Sequence, residues 1–170
     1  TAGALYRYFS SKDALLVALA LRAIEALGAR LTSTSSSPLE GIAHACHAFI
    51  RFAEQEPELA SIIALLVADP RVLVPEPTQA APIAQALTGA LLPVRARFEE
   101  AQGQGVLQPG DSTERTMQLW AGLQGAVQLR KLERLAPNLI SASRVALSLA
   151  ETMLIGFGAK PAQAHAAMNP

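Results

Sequence analysis

Three side chains that can bind a transition metal recur at helical spacing within residues 38–56. Glu40, His44 and His47 stand at i, i+4 and i+7, so one side of a helix would carry all three, with Cys46 nearby. Carboxylate and imidazole groups bind Zn²⁺ and Ni²⁺. Metal sites usually take ligands from more than one element, however, and no fourth ligand has a suitable spacing. We therefore interpret these residues as a polar helix face beside a pocket, and we predict no metal and no cofactor.

Nucleophilic catalysis has little support in the sequence. The chain contains no Gly-x-Ser-x-Gly pattern, and its serines lie mostly in predicted loops and helix caps. Gly103-Gln104-Gly105 lacks both the third glycine and the preceding strand of a phosphate-binding loop. We predict that the chain is not an enzyme.

The first twelve residues combine an aromatic cluster with the start of a long helix. Tyr6, Arg7 and Tyr8 offer hydrogen-bond donors side by side. Lys12 falls in the first turn of the following helix, where the helix dipole disfavours a positive charge. We infer that Lys12 interacts with a group outside the helix, and phosphate is the obvious candidate.

Residues 1–16 read Thr-Ala-Gly-Ala-Leu-Tyr-Arg-Tyr-Phe-Ser-Ser-Lys-Asp-Ala-Leu-Leu. This stretch resembles the second half of the helix-turn-helix of TetR-family transcriptional regulators. The family pattern is small residue, Gly, small residue, Leu-Tyr, variable, aromatic or His, Phe, two turn residues, Lys, acidic, two residues and Leu. The family places two further helices upstream, and the chain does not begin with Met. We therefore expect an N-terminal part that precedes Thr1.

The resemblance implies a ligand-responsive transcriptional regulator in the cytoplasm, a homodimeric repressor that a small molecule releases from double-stranded operator DNA. The low charge of the chain suggests a small hydrophobic or aromatic effector. It implies phosphate contacts for Tyr6, Tyr8 and Lys12. Arg7, with Ala2 and Ala4, would face base edges in the major groove. The full expected DNA-binding set is Thr1, Ala2, Gly3, Ala4, Tyr6, Arg7, Tyr8 and Lys12. The alternative is a helical small-molecule-binding or scaffolding module without a DNA partner.

Composition limits the other classes of function. The formal net charge is zero, so these residues alone do not make a general polyanion binder. Cys46 is the single cysteine, which excludes an intramolecular disulfide and fits a reducing cytoplasm. No apolar run reaches the roughly 18 uninterrupted residues of a membrane span, so we expect no membrane partner.

Every segment between the Pro, Gly and Ser breaks has helical periodicity, and none alternates with period two. We therefore predict an all-α helical bundle regulatory domain, preceded by the C-terminal part of a helix-turn-helix. The predicted domains are residues 1–16, which end the DNA-binding domain, residues 17–158 for ligand binding and dimerisation, and a flexible tail over 159–170. The predicted helices span 11–31, 38–56, 57 to about 69, 78–102 with a kink at Pro93, 111–135 and 138–156.

Two groups of residues in these helices are candidates for binding. The last two long helices carry small and apolar residues that would pack in a dimeric four-helix bundle: Gly122, Gly125, Ala126, Leu129, Val145, Leu149 and Met153. Tight packing within one subunit is the alternative explanation for these residues. The predicted ligand-binding residues are His44, His47, Phe49, Met117, Trp120 and Gln124. A ligand between helices 11–31, 38–56 and 111–135 would tilt the first long helix and move the recognition segment with it.

Overall fold

A computed structural model of the chain describes Phe9, residues 11–68, Val74, and residues 76–136 and 138–169. These residues contain helices and no strand, which confirms the predicted all-α fold. The helices are α1 (Lys12–Leu31), α2 (Pro38–Gln55), α3 (Pro57–Ala68), α4 (Pro77–Gly103), α5 (Ser112–Gln128), α6 (Arg130–Leu135), α7 (Ala142–Gly156) and α8 (Pro161–Met168).

Side-chain caps start two of the central helices at the predicted positions. The Ser37 hydroxyl accepts a hydrogen bond from the backbone N–H of Glu40 at 3.4 Å, and Pro38 begins α2. At the start of α5, Asp111 Oδ1 accepts hydrogen bonds from the backbone N–H groups of Thr113 at 2.7 Å and Glu114 at 2.9 Å. These contacts satisfy backbone donors that have no partner inside the helix.

Helix α2 lies at the centre of the core. Twelve of its 18 residues are buried, and it packs against α1, α3, α4, α5, α7 and α8. Ile42, Cys46 and Phe52 are among the most deeply buried side chains of the chain. Phe98 of α4 adds a further aromatic ring to this core and meets Phe157 edge to face, with ring centroids 6.0 Å apart. Because α2 touches so many elements, its position determines where the other helices can lie.

The predicted helix 111–135 consists of two helices in the structure. α5 ends at Gln128, and α6 begins at Arg130 after the C-cap residue Leu129. The predicted final long helix begins at Ala142 rather than at residue 138, because Ser141 is its N-cap. The Ser141 hydroxyl accepts a hydrogen bond from the backbone N–H of Arg144.

The predicted flexible tail over 159–170 is wrong for the part that the structure describes. Residues Pro161–Met168 form α8, which packs against α2 and α7. Ala164 and Met168 are buried, and the His47 ring bonds to the carbonyl of Met168 at 3.0 Å. A helix of this length is unstable alone, so its order comes from this packing.

Candidate functional site

Most of the predicted DNA-binding residues lie outside the described residues: Thr1, Ala2, Gly3, Ala4, Tyr6, Arg7 and Tyr8. Lys12 is the described member of that set, and it is exposed in the first turn of α1. Ser11 caps the helix, since its hydroxyl accepts a hydrogen bond from the N–H of Ala14 at 3.0 Å. The chain that carries the aromatic motif therefore leads directly into the capped start of α1.

The other end of α1 is fastened to α2 through Arg30. A guanidinium nitrogen of Arg30 donates to the Glu56 carboxylate at 3.1 Å, and the guanidinium carbon lies 5.3 Å from the centroid of the Phe52 ring. The His44 ring bonds to the backbone carbonyl of Arg30 at 3.2 Å. These contacts give α1 a fixed C-terminal end, whereas its first turns, from Lys12 to Leu19, contain no buried residue.

A groove of about 400 Å³ lies between α1 and α4. The two helices approach closely beside this space, where a Cβ atom on Gly28 would lie 3.0 Å from the Cβ of Ala90. Small side chains therefore let the two helix backbones approach closely beside the open space. The groove is lined by Leu21, Ile24, Glu25, Gly28 and Ala29 of α1 and by Ala86, Gly89, Ala90 and Pro93 of α4.

The polar groups of this groove are hydrogen-bond acceptors. Glu25 provides the one ionisable side chain among the lining residues. Pro93 has no N–H, so the Gly89 carbonyl lacks the donor that a helix normally places four residues later. A Cβ atom on Gly89 would meet nothing within 4 Å, because the glycine faces open space. The groove can therefore hold an apolar body and a group that donates hydrogen bonds.

None of the six residues predicted to bind a ligand lines this groove. His44 and His47 contact backbone carbonyls of other elements, so their rings help to fasten α1 and α8 to α2. Lone histidines on an apolar helix often have this structural role, and the sequence does not show which carbonyls they meet.

The four other predicted ligand residues differ in exposure. Phe49 and Trp120 are buried, Gln124 is half-buried, and Met117 is 42% exposed. The indole nitrogen of Trp120 is buried without a hydrogen-bond partner among the described residues. That nitrogen is a donor that a bound molecule could satisfy, and ligand contact by this set remains a prediction.

Glu40, His44 and His47 do not converge on a common point. The carboxylate of Glu40 accepts a hydrogen bond from the Ser35 hydroxyl at 2.6 Å, while the two imidazoles bond to separate carbonyls. Among the described residues, no three side chains of metal-binding type are grouped as a metal ion requires. The three residues therefore make three separate contacts, with Ser35, Arg30 and Met168.

Part of the predicted dimer set packs within one subunit. A Cβ atom on Gly122 would lie 2.8 Å from Cδ2 of Leu149 and 3.6 Å from Sδ of Met153. The absence of a side chain at Gly122 therefore lets α5 approach α7. For this position the structure favours the intrasubunit packing that the sequence left as an alternative.

The rest of the predicted dimer set includes an open surface. A Cβ atom on Gly125 would meet nothing within 4 Å, and Val145 is exposed. Ala126 is buried and Leu129 is half-buried. Farther along the chain, Leu135 and Leu139 are 83% and 77% exposed.

Cys46 is completely buried in α2. Burial disfavours the thiolate and raises the pKa of Cys46 to about 12. The thiol is therefore protonated at neutral pH and is a core side chain rather than a nucleophile. Among the described helices, none is both long and apolar enough to cross a membrane.

The comparisons with known proteins agree with this architecture. A family model described as the tetracyclin repressor-like, C-terminal domain matches residues 42–151. The TetR-family transcriptional regulator PfmR from Thermus thermophilus is 19% identical with a TM-score of 0.69, over 91% of this chain and 81% of that chain. A protein of unknown function from Rhodococcus sp. RHA1 is 23% identical with a TM-score of 0.67, over 88% and 74%. No curated protein matches significantly.

Proposed function

This chain belongs to the TetR family of transcriptional regulators, and we propose that it is a cytoplasmic repressor that a small molecule releases from operator DNA. The observation that carries the proposal is the direct connection between the recognition motif and α1. Residues 1–16 have the family's recognition pattern, and α1 begins at Lys12 inside that pattern. Any change in the direction of α1 therefore moves the recognition segment.

The fixed and free parts of α1 fit this role. Arg30 ties its C-terminal end to α2, while residues 13–19 of its first turns are half-buried rather than buried. A helix held at one end changes direction most readily at the end that buries fewer side chains. A ligand that binds one direction of α1 more tightly shifts the population towards that state. In a dimer the two recognition helices must be about 34–36 Å apart, so a small tilt prevents simultaneous binding.

The DNA-binding role is tested with the full-length protein and a random-sequence DNA library. We expect enrichment of a two-fold symmetric operator. Arg7→Ala should relax the preference at one base pair per half-site, by about 1–3 kcal/mol. Lys12→Ala should weaken binding to all sequences equally and reduce the salt dependence, because a phosphate contact carries no sequence information.

Two outcomes would contradict this role. Failure to enrich any DNA sequence would favour the alternative of a helical small-molecule-binding or scaffolding module. An equal loss of affinity for every operator variant in Arg7→Ala would remove the base-reading function from that residue. Lys131→Ala is a matched control, because Lys131 is an exposed lysine far along the chain in α6.

We also propose a homodimer through α5 and α7. Gly125 makes the test specific, since a side chain there meets nothing in its own subunit. Gly125→Leu should therefore leave the fold intact and weaken the dimer in sedimentation experiments. Gly103→Leu is the control, because Gly103 also faces open space but lies at the end of α4. A monomeric unmutated protein at low micromolar concentration would refute the dimer.

A further inference from the structure

The groove between α1 and α4 has an uneven distribution of polar groups. All its lining side chains are apolar or absent except that of Glu25. The carboxylate of Glu25 takes part in none of the ion pairs formed by the described residues, and Arg22, one turn earlier, does not pair with it. Glu25 therefore places a negative charge beside an apolar surface.

The second polar group is the carbonyl of Gly89. Pro93 cannot donate the hydrogen bond that would normally satisfy this oxygen. The absence of a side chain at Gly89 leaves the backbone accessible from the groove. A carboxylate and a carbonyl both accept hydrogen bonds, and no lining side chain donates one.

From these observations we propose that the groove binds a cationic amphiphile whose N–H groups face Glu25 and the Gly89 carbonyl. The apolar body of the molecule lies along the small residues of α1 and α4. The volume of about 400 Å³ is within the usual range of small-molecule sites. An anionic head group would be repelled by Glu25, and a neutral one would lack the charge attraction.

The effect of the groove on DNA binding rests on the proposed function, whereas its preference for a cationic ligand does not. A molecule in the groove contacts both α1 and α4, so it changes the packing beside the close approach of Gly28 to Ala90. If α1 carries the recognition segment, occupation of the groove gives the ligand its influence on DNA binding.

The test uses three probes with the same apolar body: phenylbutylammonium, phenylbutanol and phenylbutyrate. Calorimetric titration of the unmutated chain should give the tightest binding for the ammonium compound. Its advantage over the alcohol should be about five-fold, the size expected for an exposed charge pair, and should fall with added salt. Phenylbutyrate should bind most weakly. Equal affinities, or a preference for the carboxylate, would overturn the proposal.

Two variants connect this preference to the groove. Glu25→Gln should remove the advantage of the ammonium probe, whereas Glu58→Gln, a change at an exposed residue of α3, should preserve it. Gly89→Leu should abolish binding of the ammonium and alcohol probes by filling the groove, with Gly103→Leu as the matched control on the same helix. Unchanged ammonium binding in Glu25→Gln or Gly89→Leu would refute the site.

The operator DNA separates this inference from the proposed function. Binding of phenylbutylammonium that depends on Glu25 but leaves DNA affinity unchanged would support the groove chemistry and contradict its role in the switch. Enriched operator binding together with no preference for the ammonium probe would contradict the groove chemistry alone.

Discussion

Helix α2 and the first half of α4 are both helical, but they differ in how they are held. α2 buries 12 of its 18 residues, including large side chains such as Phe52 and Ile42. All four buried residues of α4 lie between Leu91 and Ala101, so Pro77–Ala90 contributes no buried residue. That first half borders the groove with small residues, while Ile83 and Leu87 pack against the core only partly buried.

This difference indicates which region holds the fold together and which region can change its packing. Large side chains that interlock with several helices resist movement, since displacement leaves cavities. Contacts between small residues lose less when helices shift. Pro93 adds to the effect, because it removes one backbone hydrogen bond at the junction between the two halves of α4. We therefore expect α2 to determine stability, and the contact between α1 and the first half of α4 to respond to ligands.

The largest effect should come from the core of α2. Phe52→Ala should lower the free energy of unfolding by about 3–5 kcal/mol, because it leaves a cavity that the surrounding helices cannot fill. Urea denaturation measures the loss. Leu92→Ala, at a residue 48% exposed on α4, is the control and should cost less than about 1 kcal/mol. Similar losses in the two variants would remove the proposed distinction between the regions.

An intermediate effect is expected where α1 and α4 touch. Gly28→Leu should lower stability by about 1–3 kcal/mol, since a Cβ atom there would already lie 3.0 Å from that of Ala90. Gly89→Leu, on the opposite wall, should be neutral or slightly stabilising, because its side chain enters open space and leucine favours the helix. Equal stability of both variants in urea would show that the helices can accommodate a side chain at Gly28 without a packing cost.

A smaller effect concerns the pH dependence of stability. The pKa of Cys46 is raised from 9.0 to about 12 by burial, so the unfolded chain releases this proton at lower pH than the folded chain. Well below pH 9 the thiol is protonated in both states and does not affect the pH slope. Stability should fall as pH rises from 9 towards 12.

Cys46→Ala isolates that contribution. It should lower stability at all pH values because it leaves a small cavity, but its stability should fall less steeply above pH 9 than that of the unmutated chain. Parallel pH profiles would show that Cys46 does not titrate differently in the two states. In the native protein we also expect Cys46 to resist alkylation, since reaction requires an exposed thiolate.

The sequence predicts best where local chemistry decides the structure. Ser37-Pro38 and Asp111 start helices through caps formed by nearby residues, and the structure contains both caps. The order of α8 depends instead on distant partners, since Met168 contacts His47 across 121 positions of sequence. No side-chain cap precedes α8, and Pro161 at its first position is a local start signal that does not by itself show that the segment is ordered.

The same distinction applies to the binding residues. Helical spacing placed Gly122 opposite another helix but could not tell that the neighbour is α7 of the same chain. The groove between α1 and α4 was missed because its residues are mostly Gly and Ala, which sequence reasoning assigns to ordinary helix packing. The signals were Glu25 within the apolar part of α1 and Pro93 within α4, and they acquire meaning only when the two helices are placed side by side.

The smallest expected change distinguishes the groove from the ligand site predicted by sequence. Trp120 is 7% exposed and does not line the groove, so binding of phenylbutylammonium should leave its fluorescence emission nearly unchanged. Trp120→Phe should bind the probe as tightly as the unmutated chain. If the probe instead shifts the emission and Trp120→Phe weakens its binding, the buried indole nitrogen of Trp120 contacts the ligand. The effector would then bind in the core beside α2. The contact between α1 and α4 would change as a consequence of that binding and would not be the binding site.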